Sequence, residues 1–159
     1  MAEFSRYEIF ILLNQYRPLW LSMIDLSGTD LRGVDLEKAT ITFANLSNCD
    51  LSQANLREAN LGESNLENTK LIGAEMRKAR LHGACLRGAD LREANLAEAD
   101  FSEADLSYSN LLAANLGGVD LTGANLTGAN LTGSTIPDYK LFQAKSLAGA
   151  VLPDGSVHE

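Results

Sequence analysis

Two histidines, two cysteines and 21 carboxylates are the side chains from which this chain of 159 residues could build an acid, a base, a nucleophile or a metal site. None of them is arranged to do so. His82 and His158 stand far apart in sequence without ligand-type neighbours, and Cys49 and Cys85 have neither metal spacing nor the density of a disulfide framework. Nine of the 21 carboxylates recur at one outward position of a repeat and seven more at its corners, which explains them without acid-base pairing. The stretch from Gly28 to Gly33 lacks the lysine and hydroxyl residue of a phosphate-binding loop. Asn45, Asn125 and Asn130 each open a glycosylation sequon only because the repeat generates it. The reading is therefore non-enzymatic, with no catalytic, cofactor or metal residues.

What positions these residues is a period of five. From Leu26 to Ile136 every fifth residue is large and apolar, 23 positions of which 19 are Leu, the others being Ile41, Met76, Phe101 and Ile136. Two residues earlier stands a mostly small one, Ala in 14 of the 23, and one residue earlier stands Asp or Asn in 17. An α-helix would spread this period over its whole surface, and a flat strand would send successive leucines to opposite faces. A short extended stretch of Ala, Asp/Asn and Leu, pointing in, out and in, followed by a two-residue corner, brings every Leu to one interior. Nine of the 13 glycines fall on the second corner residue, where a type II turn needs a positive φ. Four corners would close a coil of 20 residues, and the stacked coils would form a rod of roughly 28 Å.

The Ala-(Asp/Asn)-Leu-x-x array, plain in Ala89 to Glu93, resembles the pentapeptide repeat family. That resemblance implies an all-β fold, a right-handed quadrilateral β-helix of about six coils, here over residues 22–136. Residues 1–21 read as an N-terminal helical cap carrying Phe4, Tyr7, Ile9, Phe10, Ile11, Leu12 and Leu13, stopped near Pro18 and joined by Leu19 and Trp20. Residues 137–159 read as a C-terminal cap in which a helical turn from Asp138 carries Tyr139, Leu141 and Phe142, with Leu147, Val151 and Leu152 covering the last coil and a turn at Pro153 to Gly155. Plain capping at both ends favours a monomer over a dimer through an end face.

A formal charge of −8 argues against direct binding to nucleic acid or to an anionic membrane. No apolar run is long enough to span a bilayer and no signal-peptide pattern opens the chain, so a cytoplasmic protein is expected. The repeat is least regular at Lys70, Glu75, Arg80 and Cys85, where the Asp/Asn column lapses for one complete coil. Residues 70–92 carry six basic side chains, Lys70, Arg77, Lys78, Arg80, Arg87 and Arg92, and residues 93–120 carry none. Lys38, Glu58, Lys78 and Glu98 would stack as an alternating ladder, and Ile72, Arg92 and Leu112 as an apolar-cationic column. This belt, with Ile72 and Leu112, is the expected interaction surface of a protein-binding module whose partner is another protein.

The resemblance also implies an alternative, since some members mimic B-DNA and act on gyrase, as quinolone-resistance proteins do. A duplex of this length carries about 16 phosphate charges, at one per roughly 1.7 Å. The basic coil interrupts any such acidic surface. The tail from Ala144 to Gly155 resembles C-termini of cyanobacterial members.

Overall fold

The computed structural model describes residues 6–16 and 18–159. Phe4 lies outside them, as do the side chains of Tyr7 and Phe10. Helix α1 (Arg6–Leu13) precedes the coils, with Ile9, Leu12 and Leu13 packed in part against the core. Among the described residues no helix is long and apolar enough to cross a membrane.

The body is a stack of coils in parallel pairing at a spacing of 20 residues, from Trp20 with Thr40 to Asn115 with Thr135. From Leu19 to Ile136, 118 residues at 20 per coil make nearly six coils. Trp20 and Leu21 already belong to this stack, because Trp20 bridges Thr40 and the Leu21 amide donates to the Thr40 carbonyl. Each side of the coil is held by single-residue bridges and not by extended strands. The reason is length: only about three residues lie between corners, too few for a ladder.

The backbone hydrogen bonds account for the repeat. In the pentad from Leu91 to Asn95, the Leu91 amide donates to the Asn110 carbonyl and the Glu93 amide to that of Leu112, both one coil ahead. The Ala94 amide closes the turn onto Leu91, and the Asn95 amide reaches back one coil to Ala74. Four of the five N–H groups are thus satisfied by backbone. The fifth, on Arg92, is taken by the Asp90 carboxylate at 3.3 Å. The Asp/Asn column exists for this bond, a local side-chain acceptor for the one donor the coil cannot pair.

The interior is filled by the Leu and Ala columns, with Phe101, Ile41 and Met76 taking Leu places at 1% exposure or less. Polar residues at the small position bond to backbone in the interior, as Thr69 does to the Leu46 carbonyl at 2.7 Å and Ser109 to that of Leu106 at 2.7 Å, whereas the buried Ser134 hydroxyl has no partner among the described residues. Every second corner residue from Met23 to Gly133 has a left-handed φ, nine glycines and 14 others. The coil imposes this conformation whatever the side chain; glycine only relieves it.

Four outward columns define four sides, called here the Trp20, Asp25, Asp30 and Asp35 sides in chain order, so that the Trp20 and Asp30 sides are opposite. Helix α2 (Asp138–Leu141) takes the place of one side of the last coil and adds one residue. Pairing therefore resumes at a spacing of 21, Asn125 with Ser146 and Asn130 with Val151. Leu141 and Leu147 are buried, whereas Tyr139 and Phe142 face outward. The tail turns at Pro153 to Ser156, and Val157 runs antiparallel to Val151, which covers the backbone edge of the final coil.

Candidate functional site

The coil bearing Lys70, Glu75, Arg80 and Cys85 gives up the side-chain acceptor at all four of its corners. Before it, Asp25, Asp50 and Asn60 accept from the amides of Ser27, Ser52 and Gly62; after it, Asn95, Asp100 and Asp105 accept from Ala97, Ser102 and Ser107. The amides of Ile72, Arg77, His82 and Arg87 have no such partner. Glu75 turns away to accept from Asn95 of the next coil at 3.0 Å. Each forgone bond is worth about 0.5–1.5 kcal/mol.

The structure places the eight residues of the expected surface around the rod and not on one patch. Lys70 stands on the Asp30 side and Arg80 on the opposite, Trp20 side. Arg77 and Lys78 form the corner between the Asp35 and Trp20 sides, and Arg87 the corner between the Asp25 and Asp30 sides. Ile72, Arg92 and Leu112 stack at the remaining corner of the Asp30 side, with Ile72 half-buried and Leu112 exposed.

Four of the six cations are bound to carboxylates. Arg77 donates to Glu98 through Nη2 at 2.5 Å and Nε at 3.1 Å, and Lys78 approaches the same carboxylate at 3.5 Å. Those partners, Arg77 foremost, hold the Glu98 carboxyl below its ordinary pKa. Arg87 reaches Glu67 at 3.2 Å, and Arg92 grips Asp90 with Nε at 2.8 Å and Nη2 at 2.7 Å. The ladder of Lys38, Glu58, Lys78 and Glu98 closes only at its second half, since Lys38 lies nearest Glu37, at 3.9 Å. These contacts staple the belt to the coils on either side of it.

Lys70 and Arg80 have no carboxylate within 4 Å among the described residues. Asp100, next to Arg80 in its column, turns its carboxylate to the amide and hydroxyl of Ser102. Arg80 therefore opens into a surface groove of about 500 Å³ lined by Lys38, Thr40, Glu58, Asn60, Lys78 and itself. Three cations face one carboxylate there, on a molecule whose net charge is −8. The groove can attract an anionic group. The His82 ring pairs instead with Ser102 at 2.9 Å. A second, more apolar hollow of about 300 Å³ lies at the C-terminal end between Leu141, Phe142, Leu147 and Leu152. Among the described residues no three His, Cys, Asp or Glu side chains are grouped as a metal site.

The sequence matches the family described as Pentapeptide repeats in eight copies, over residues 21–53, 49–88, 84–123 and 99–136. The chain belongs to the pentapeptide repeat family. Among solved structures it is similar to the pentapeptide repeat protein Rfr23 of the cyanobacterium Cyanothece 51142, with 32% identity over 63% of this chain and 82% of that one and a TM-score of 0.61. It is also similar to a pentapeptide repeat protein of the Arabidopsis thaliana thylakoid lumen, with 30% identity over 82% of this chain and 85% of that one and a TM-score of 0.55. No functionally curated protein matches it. Pentapeptide repeat proteins form right-handed β-helices, and the 20-residue coil is the form that fold takes here. Membership in the pentapeptide repeat family accounts for the leucines, the corners and the Asp/Asn column. It does not account for Lys70 and Arg80, nor for Trp20, Met23 and Phe43, which are exposed in regular coils and which the five-residue pattern did not single out. The signal for the last two was available: a bulky apolar residue at a corner that favours glycine.

Proposed function

We propose that the chain is a non-enzymatic protein-interaction module that binds a partner protein through its basic coil. The observation that supports this is the coil from Lys70 to Cys85, where four consecutive corners forgo a stabilising hydrogen bond in favour of residues that do nothing for the core. Loss of stability without gain in packing is the mark of a surface kept for contact.

The test restores the repeat. A variant with Asn at positions 70, 75, 80 and 85 regains the missing acceptors and is expected to melt higher than wild type while failing to retain the partner in affinity capture from the host. Equal capture by both proteins would sink the reading. The alternative, duplex mimicry directed at a topoisomerase, requires a continuous acidic surface that the basic coil interrupts. A supercoiling assay is accordingly expected to show neither inhibition nor drug protection of gyrase.

A further inference from the structure

The four sides of the rod differ in how far their outward side chains are used within the fold. On the Asp25 side Asn45 bonds to Asp25 and Asn65 to Asn45; on the Asp35 side Asn55 bonds to Asp35 and Asn115 to Asn95; on the Asp30 side Asn130 bonds to Asn110. The Trp20 side, running Trp20, Thr40, Asn60, Arg80, Asp100 and Asp120, has no such bond from coil to coil among its described side chains.

The same side gathers three of the five large hydrophobic side chains exposed on the coils, the other two, Tyr108 and Leu112, standing at corners elsewhere. Trp20 is 76% exposed, and Met23 and Phe43, stacked at the adjoining corner, are 80% and 64% exposed. Neither backbone nor core asks for these side chains. Met23 and Phe43 have φ of 60° and 57°, a conformation that costs a bulky residue about 1–2 kcal/mol and suits Gly or Asn. Their exposure leaves little packing to offset that cost.

Lys38 and Lys78 line the other flank of this side, and Arg80 stands on it, so an apolar end passes into the cationic groove along one column. Asp100 and Asp120 then reverse the sign and bound the surface. Trp20 and Arg80 are three coil steps apart, about 14 Å, which an extended peptide covers in about four residues.

We propose that the Trp20 side docks an extended segment of a partner protein in which apolar side chains are followed, about four residues later, by carboxylates. The apolar residues cover Trp20, Met23 and Phe43, and the carboxylates enter the groove at Lys38, Lys78 and Arg80. This surface rests on the interaction-module reading and gives it a side and a partner chemistry.

Trp20 is the one tryptophan of the chain, so its emission reports the contact directly. Short random peptides displayed on phage are panned against the full chain, and the enriched ones are synthesised and titrated while that emission is followed. Expected are peptides combining apolar and acidic residues that shift the emission to the blue. Phe43→Asn and Arg80→Asn, both of which restore what the repeat favours, are expected to melt no lower than wild type yet bind about tenfold more weakly or worse. Tyr108→Asn, the matching change at an exposed left-handed corner between the Asp25 and Asp30 sides, leaves affinity unchanged. Enrichment of basic peptides, no enrichment at all, or affinities indifferent to Phe43→Asn and Arg80→Asn would overturn the docking surface. Those outcomes leave the broader reading to be judged by capture from the host, so the two can fail separately.

Discussion

At the scale of the residue, the decisive position is the outward Asp or Asn. Its side chain accepts the one backbone N–H of each pentad that the coil leaves over, and a residue that cannot accept leaves that donor to water. Cys85→Asn should supply the Arg87 amide with an acceptor and stabilise the protein by about 0.5–1.5 kcal/mol, measurable by urea unfolding. The acidic members of the column also titrate. Hydrogen bonds from the side chain of Ser52 to Asp50 and from that of Thr122 to Asp120 are the foremost cause holding both carboxyls below their ordinary pKa. A depressed folded pKa stabilises the fold above the unfolded value and ceases to do so as pH falls through it. The melting temperature should therefore hold at neutral pH and drop below about pH 4. The double variant Asp50→Asn and Asp120→Asn, which keeps the acceptors but cannot titrate, should give a flatter acid limb in a melting series.

The element of this protein is the corner, and neighbouring coils decide what each corner tolerates. Gly33 and Gly128 share a left-handed φ, +63° and +66°, yet their surroundings differ. Nothing lies within 4 Å of a side chain added at Gly33, whereas one added at Gly128 would come within 2.7 Å of the Tyr108 ring leaning over from the coil before. Gly33→Ala should cost only the conformational strain, about 1 kcal/mol. Gly128→Ala should cost more, because the ring must move as well; paired thermal melts of the two variants check the order. The corner glycines were legible from the five-residue spacing and the turn type. That 14 non-glycine residues adopt the same φ was not, since a propensity argument cannot show that stacking overrides local preference.

For the whole molecule, a rod of equivalent coils turns position along the chain into direction in space. Five residues rotate the outward direction by one corner, ten by two, and twenty restore the original side. Deletion of residues 46–55 joins Asn45 to Leu56 in unbroken pattern, and deletion of residues 46–65 joins it to Leu66. Both shortened chains should fold cooperatively, with unfolding m-values reduced according to the residues lost. The ten-residue deletion sends Arg80 to the side opposite Trp20 and should abolish peptide docking; the twenty-residue deletion keeps both on one side, two coil steps apart, and should retain docking for peptides whose carboxylates follow about three residues after the apolar ones. Circular dichroism and tryptophan titration of the pair separate folding from alignment. The interaction belt shows the same geometry from the other direction. Lys70 and Arg80 are ten residues apart and so stand on opposite sides, and the compact basic segment of the sequence becomes a ring around the rod.

By itself the sequence determined the period, the leucine interior, the glycine corners, the membership of the family and the coil where the pattern lapses, because each is a matter of residue type at a fixed spacing. Tertiary structure alone decided which cations remain unpaired, since Glu98 reaches Arg77 and Lys78 from the following coil and Glu67 reaches Arg87 from the preceding one. The 20-residue register already aligns Trp20 with Arg80, and the structure decided that Trp20, Met23 and Phe43 remain exposed beside it. The reason is that neighbours in a solenoid are 20 residues apart: contacts along the rod are long-range in sequence, and the repetition that reveals the fold makes every coil look alike until the coils are stacked.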